Sequence, residues 1–466
     1  MLYTSTRGRA EDKTFTEILL EGLAPDGGLY VPRYYPQFLD KDLRILREQD
    51  YRAVAHYVLH LLGLDMGPVE VMKLLGRVYT KEKFGSPEIT PVEWLEPGLG
   101  LLRLSNGPTF AFKDIALQPL AALMEHVLGE RNEELNILGA TSGDTGSAAE
   151  YAFIGSKRAR VFMLSPYGRM SPFQRAQMYT LNEPNIFNLV VDGTFDDCQD
   201  VVKAVNEDAA FKAKYRIGAV NSINWARIAL QVVYYVYAYL RATEQEGERV
   251  MFSIPSGNFG NALAAHVARQ MGLPIRSIIV AANENDVLYE FFATGIYRVR
   301  KGTDVVPTSS PSMDIASASN FERFIFDSVD RDAEIVSDLW GDLKKKGSFD
   351  GRFITPRFGY TWESGRASEA DVDFTIRDVY KKYGVIIDPH TAVGMYVGLQ
   401  CRKQNIPLIV VETAQPAKFA DTIRRAIGIE PPVPKGFEKL LQLPEHTTRI
   451  PPDPEVVKRF IAANVL

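Results

Sequence analysis

Short apolar runs alternate with longer stretches of helical spacing from about residue 96 to residue 430. LNILGA, RVFMLSP, NIFNLVVDG, VMFSIPSG, IRSIIVAAN and PLIVVETA are bounded by turn residues and rich in β-branched side chains, which predicts strands. Each leads into a helical pattern, so the region reads as a series of parallel α/β units. Residues 1–95 differ. RAVAHYVLHLL and GPVEVMKLLGRVY carry apolar residues at helical spacing, and LAPDGGLYVP places Pro25, Asp26, Gly27 and Gly28 in one turn. A mostly helical N-terminal domain is expected there.

Within the α/β region, residues of about 295–375 lose this regularity. KGTDVVPTSSPSMD and GRFITPRFGYTWESGRASEAD are punctuated by Ser, Thr, Pro and Gly, and are expected to form a loop-rich insertion around one helical hairpin. The segment beginning IEPPVPKGF is Pro-rich, and residues 431–466 are expected to wrap the surface as a C-terminal tail. RIALQVVYYVYAYLRA is the most apolar helical run, interrupted by Gln231 and bounded by Arg227 and Arg241; its length suits a buried helix better than a membrane span.

Composition narrows the function classes. The chain has 466 residues, 46% hydrophobic and 24% charged, enough for a large core in two or three domains. A net charge of −5 without a long basic run argues against nucleic acid and anionic membranes as partners. Two cysteines, Cys198 and Cys401, stand in unrelated contexts and give neither a disulfide framework nor a metal motif. With no apolar stretch near the start that would serve as a signal peptide, a cytoplasmic location is expected. His56 and His60 stand four residues apart, which could serve a metal, but their neighbours read as a packing helix and no metal site is expected.

Candidate chemistry begins at SNGPTFAFKDIALQ. Lys113 follows Phe110, Ala111 and Phe112 and precedes Ile115, Ala116 and Leu117. It is either a surface charge at a helix edge or an amine held in a pocket. Two strand-to-helix turns suit an anion: Thr141–Ser147, containing Ser142, Asp144 and Thr145, and Ser256–Asn261, containing Gly257, Asn258, Phe259 and Gly260. Glycines bring backbone N–H groups close to a ligand, and the following helix adds free donors and the positive end of its dipole. Each turn alone is equally compatible with an ordinary capped connection. Neither matches the nucleotide P-loop or the dinucleotide fingerprint. NSINWAR offers Asn221, Ser222 and Arg227 at a helix start, where the guanidinium could clamp a phosphate or close a salt bridge. An amine among apolar residues together with several anion sites is what pyridoxal 5′-phosphate (PLP) requires, with a place left over for an anionic substrate.

The same motifs resemble the threonine synthases, fold-type-II PLP enzymes related to the tryptophan synthase β subunit. STRG, GLAPDGGLYVP, GPTFAFKD, ATSGDTGSAA, NSINWAR, SIPSGNFGN, PSMDIASASNFER, DPHTAVG and TAQPAKF are similar to family blocks in the expected order over nearly the whole chain. The resemblance implies parallel-sheet α/β domains and conversion of O-phospho-L-homoserine and water to L-threonine and phosphate, a carbon–oxygen lyase reaction in amino-acid biosynthesis. It implies that Lys113 carries the cofactor and moves protons. Gly257, Asn258, Phe259, Gly260 and Asn261 would wrap the cofactor phosphate, Asp144 would lie near the 3′-oxygen, and Thr413 would face the pyridine nitrogen. Ser142 and Thr145 would hold the substrate carboxylate, and Asn221, Ser222 and Arg227 its phosphate. Many family members have histidine where this chain has Asn106 and Gln415, neither of which titrates near neutrality. A phospholyase giving a 2-keto acid and ammonia, or a non-catalytic PLP-binding protein, are the competing readings.

Overall fold

The apolar runs all become strands, and they sort into two sheets. The computed structural model describes residues 1–354 and 362–465. One sheet has five strands, in the order Thr448–Ile450, Ile186–Val191, Ala159–Pro166, Leu135–Ala140 and Ile217–Gly218, all parallel. The other has six, in the order Trp362–Arg366, Ile275–Ala282, Val250–Pro255, Leu408–Glu412, Leu99–Arg103 and Val92–Glu96. Its neighbours are parallel except for the hairpin that joins Val92–Glu96 to Leu99–Arg103. The inner strands Val250–Pro255 and Leu408–Glu412 are buried at every position. Helices cover both faces of a parallel sheet, which is why such strands read as unbroken apolar runs.

The apolar helix predicted from RIALQVVYYVYAYLRA spans Trp225–Ala242 and is buried from Trp225 to Leu240. It packs against the helices Tyr51–Leu61, Lys113–Arg131 and Gly260–Gln270, joining the N-terminal helices to the α/β region. No helix among the described residues is long and apolar enough to cross a membrane. His56 and His60 stack their rings 6.4 Å apart on the helix Tyr51–Leu61.

The structure revises three expectations. The irregular region contains the helical hairpin Phe321–Ser328 and Ala333–Lys346, but Trp362–Arg366 is the edge strand of the large sheet and Glu369–Tyr383 a helix packed on the helices Pro389–Cys401 and Ala420–Ile427. That strand, WESGR, was hidden by Glu363, Gly365 and Arg366, which an edge tolerates. Residues 355–361 of the same stretch lie outside the described residues. The tail does more than wrap the surface: Thr448–Ile450 completes the smaller sheet, and the helix Pro454–Asn464 packs on Phe195–Glu207. The large sheet begins at Val92, ahead of the boundary expected at residue 96.

Arg323 ties the N-terminal domain to the core. It is fully buried, and its guanidinium donates to the Tyr30 carbonyl at 2.9 Å, the Ile223 carbonyl at 2.6 Å and Asn320 Oδ1 at 2.7 Å. Arg323→Met strands these acceptors without donors. A loss of about 3 kcal/mol is expected, read as a lower urea midpoint with an unchanged slope.

Candidate active site

Lys113 is the first residue of the helix Lys113–Arg131, and the loop before it is strapped in place. The Phe112 N–H donates to the Thr413 carbonyl at 2.9 Å, and the Gln415 N–H donates to the Phe110 carbonyl at 3.0 Å. Asp114 accepts from the Thr109 N–H and hydroxyl, each at 2.8 Å, closing the loop on itself. Burial pushes the Asp114 carboxyl up to about 6 against these bonds. A Cβ on Gly107 would come within 2.5 Å of Asp114, so only glycine fits that position. Lys113 is therefore held rigidly and is 9% exposed, with Nζ 4.7 Å from the centre of the Phe112 ring. The pocket reading of this lysine holds.

Asp144 is the partner the pocket supplies. It begins the helix Asp144–Phe153, after a turn in which the Thr141 hydroxyl accepts from the Gly143 and Gly146 N–H groups at 2.9 and 2.8 Å. Its Oδ2 lies 3.6 Å from Lys113 Nζ and accepts from the Ser312 hydroxyl at 3.2 Å. Its Oδ1 takes shorter contacts, 2.6 Å from Lys418 Nζ and 2.9 Å from Gln174 Nε2. Burial opposes the charge on Asp144, but Lys418 first and Lys113 second outweigh it, and the carboxyl lies well below its usual range. The Lys113 amine is lowered as well, which favours its neutral form. Burial lowers it, Asp144 raises it, and the cations Lys418 and Arg227 lower it further. Ser142 and Thr145 flank Asp144 and are half-buried.

The second glycine turn joins this constellation through Ser312. A Cβ on Gly257 would stand 2.7 Å from the Ser312 carbonyl, a contact that backbone cannot relieve. The Ser312 N–H donates to His390 Nε2 at 3.1 Å, and His390 Nδ1 donates to Asp388 at 2.7 Å, which places the ring proton on Nδ1. Phe259 adopts the left-handed region at φ 64°, and its ring is buried against Phe321, Phe324 and Trp362. Gly260 opens the helix Gly260–Gln270. Asn261 Oδ1 accepts from the hydroxyls of Tyr234 and Tyr235 at 2.6 Å each, which leaves its buried Nδ2 without a partner. Asn258 is exposed, and its carbonyl accepts from the Asn320 N–H at 3.1 Å.

Arg227 is 2% exposed and forms no ion pair among the described residues. Nη1 donates to the Val220 carbonyl at 2.8 Å, while Nε is buried without a partner. Burial pulls the guanidinium down to about 10. Asn224, not Asn221 or Ser222, caps the helix, accepting from the Ala226 N–H at 3.0 Å. Asn221 is exposed, and Ser222 is half-buried with its hydroxyl 3.3 Å from that of Ser319. Thr413 is buried, and its hydroxyl has no partner among the described residues. Gln415 Nε2 donates to the Ser105 hydroxyl at 3.0 Å, which in turn donates to Glu412 at 2.5 Å. Asn106 is half-buried.

Sequence reasoning assigned no role to Lys418, Gln174, Ser312 or His390. Lys418 carried the same signal as Lys113, a lysine inside the apolar stretch PAKFA. The other three are ordinary polar residues in their local setting, and only the fold brings them to Asp144 and Gly257.

Comparison with known proteins places the chain in a family. Three family models cover most of the chain: threonine synthase N terminus over residues 2–79, pyridoxal-phosphate dependent enzyme over 88–338, and threonine synthase, C-terminal over 391–461. The chain is 53% identical to a threonine synthase of Corynebacterium glutamicum, over 99% of this chain and 98% of the relative. It is 50% identical to a threonine synthase of Methylobacillus glycogenes over the full length of both. The crystal structure of a PLP-bound threonine synthase from Brucella melitensis superposes with a TM-score of 0.95 at 39% identity, covering 100% of this chain and 99% of that one. The chain belongs to the threonine synthase family.

Proposed function

We propose that the residues around Asp144 and Arg227 form the active site of a PLP-dependent threonine synthase, a lyase that converts O-phospho-L-homoserine and water to L-threonine and phosphate. The observation that carries the residue assignment is a surplus of buried donors. Lys113 and Lys418 face the ionised carboxylate of Asp144, Arg227 acts on Lys113 as a further buried cation, and Asp114 is already satisfied by Thr109. Asn261 Nδ2, Arg227 Nε and Thr413 Oγ1 are buried and unpartnered. Desolvated donors of this kind are costly unless a ligand satisfies them. A phosphorylated cofactor and a phosphorylated amino acid supply the missing acceptors.

PLP, when bound, supplies the electron sink that makes the Cα and Cβ protons of the substrate removable. Lys113 holds the cofactor through its amine and moves the proton at Cα; its burial favours the neutral form that both tasks need. Gly257 to Asn261 offer the cofactor phosphate a backbone cradle at the start of an 11-residue helix. Thr413 offers a neutral hydroxyl to the pyridine nitrogen, which unlike a carboxylate does not favour its protonation. Asp144, ionised, would lie on the 3′-oxygen side of the cofactor. Ser142 and Thr145 hold the substrate carboxylate, and Arg227, with Asn221 and Ser222, its phosphate. Gln415 and Asn106 orient groups by hydrogen bonding and take no part in proton transfer. A cytoplasmic location accords with the free thiols of Cys198 and Cys401.

Incubation of the PLP-loaded chain with O-phospho-L-homoserine should release threonine and phosphate one for one. Phosphate accompanied by 2-oxobutyrate would instead make it a phospholyase. Arg227→Met should raise KM for this substrate on the order of 100-fold, the ~3 kcal/mol of a buried charge-assisted pair, and leave PLP affinity nearly unchanged. Because Arg227 has no anionic partner, the same variant should melt no earlier than the parent in the absence of substrate. Equal weakening of cofactor and substrate would show that the two anion sites are assigned wrongly. Thr413→Val should leave the cofactor-free chain as stable as before, since the hydroxyl has no partner to lose. Its PLP affinity, measured by fluorescence titration, should fall about tenfold.

A further inference from the structure

Asp144 lies between two buried lysines but does not share itself equally. Lys418 Nζ is 2.6 Å from Oδ1, whereas Lys113 Nζ is 3.6 Å from Oδ2. Lys418 is 1% exposed and is fixed from a second side by donating to the Thr109 carbonyl at 2.9 Å, inside the loop that also seats Lys113. It sits on a short 3-10 turn, Pro416–Phe419, that follows the Thr413–Gln415 strap, so the strap aligns both amines at once. Gln174 donates to the same carboxylate oxygen as Lys418, and Ser312 donates to the oxygen nearer Lys113.

We propose that Lys418 is a positioning residue that takes up the charge of Asp144 and so leaves Lys113 free as the cofactor-capturing amine. Without a second cation, the buried carboxylate would draw Lys113 into a hydrogen-bonded ion pair and hold it as an ammonium. An ammonium can neither attack the aldehyde carbon of PLP nor accept a proton from substrate. With Lys418 present, the carboxylate remains an anion, Lys113 stays outside hydrogen-bonding distance, and its lone pair is available. Lys418 also acts directly, because its charge and that of Arg227 both disfavour a third cation nearby. The charged groups set against Lys113 are thus Asp144, Lys418 and Arg227; Asp114 lies on the Thr109 side, where Lys418 lowers its carboxyl. This role rests on the assignment of Lys113 as the cofactor-bearing amine.

The test uses the full chain stripped of cofactor. Covalent capture of added PLP is followed by visible absorbance across pH, then trapped with borohydride and located by peptide mass. Lys418→Gln retains donors for Asp144 and the Thr109 carbonyl but removes the charge. The pH of half-maximal capture should rise by at least about one unit, because the lost cation no longer offsets Asp144. Lys418→Arg should return the midpoint toward the parent value. The double variant Lys418→Gln with Asp144→Asn removes both charges and should also return it, which separates charge balance from misfolding. An unshifted midpoint in Lys418→Gln would overturn the proposal. Equal loss of capture at every pH in both the single and the double variant would also overturn it, making Lys418 a packing residue. Trapped cofactor on a lysine other than Lys113 would overturn the active-site assignment itself.

Discussion

Burying positive charge without matching negative charge is the constraint on which this molecule turns. A guanidinium and an ammonium withdrawn from water, Arg227 and Lys418, each carry a desolvation penalty of several kcal/mol, and such groups are normally paired. Arg323 shows how the fold handles a structural case: three acceptors surround it, and Glu322 beside it pairs with Arg7 at 3.1 Å. Arg227 is treated differently. It keeps one carbonyl and an unpartnered Nε, and Asn261 and Thr413 keep unpartnered atoms of their own. These three orphaned groups lie on the elements that carry the second glycine turn, the strap beside Lys113 and the buried helix.

The scaffold explains how this imbalance is sustained. Both glycine turns lie at the carboxyl ends of parallel strands, Leu135–Ala140 in one sheet and Val250–Pro255 in the other. Ligands of open α/β sheets are bound at such strand ends. The buried helix Trp225–Ala242 delivers Arg227 and Tyr234 from a third direction. Ser312 connects the two turns, bonding Asp144 with its hydroxyl and leaving no space for a side chain on Gly257 with its carbonyl. His390, oriented by Asp388, fixes Ser312. Residues from both sheets and from the irregular segment thus hold the proposed site in one arrangement, the preorganisation that electrostatic catalysis would use.

Local pattern made a good part of this legible. Six apolar runs predicted six strands, because parallel strands buried on both faces cannot hide their composition. Lys113 and both glycine turns stood out for the same reason: each breaks the pattern around it. What stayed hidden is non-local. Nothing in the runs says that three belong to one sheet and three to the other, and WESGR at the edge lacks an apolar run. Gln174 lies 30 residues from Asp144, and Ser312 lies 168 residues away, so neither pairing has a sequence signature. Even Asn221 and Ser222, correctly placed near a helix start, left the capping role to Asn224.

The central claim is that the chain holds two separate anion sites, one at the turn Gly257–Asn261 and one at Arg227. Phosphorus NMR of the PLP-loaded chain titrated with inorganic phosphate tests it most directly. The account predicts a fixed cofactor signal and a second, saturable bound-phosphate signal that disappears in Arg227→Met. A chain that never shows bound phosphate beside its cofactor, or shows it undiminished without Arg227, would contradict it.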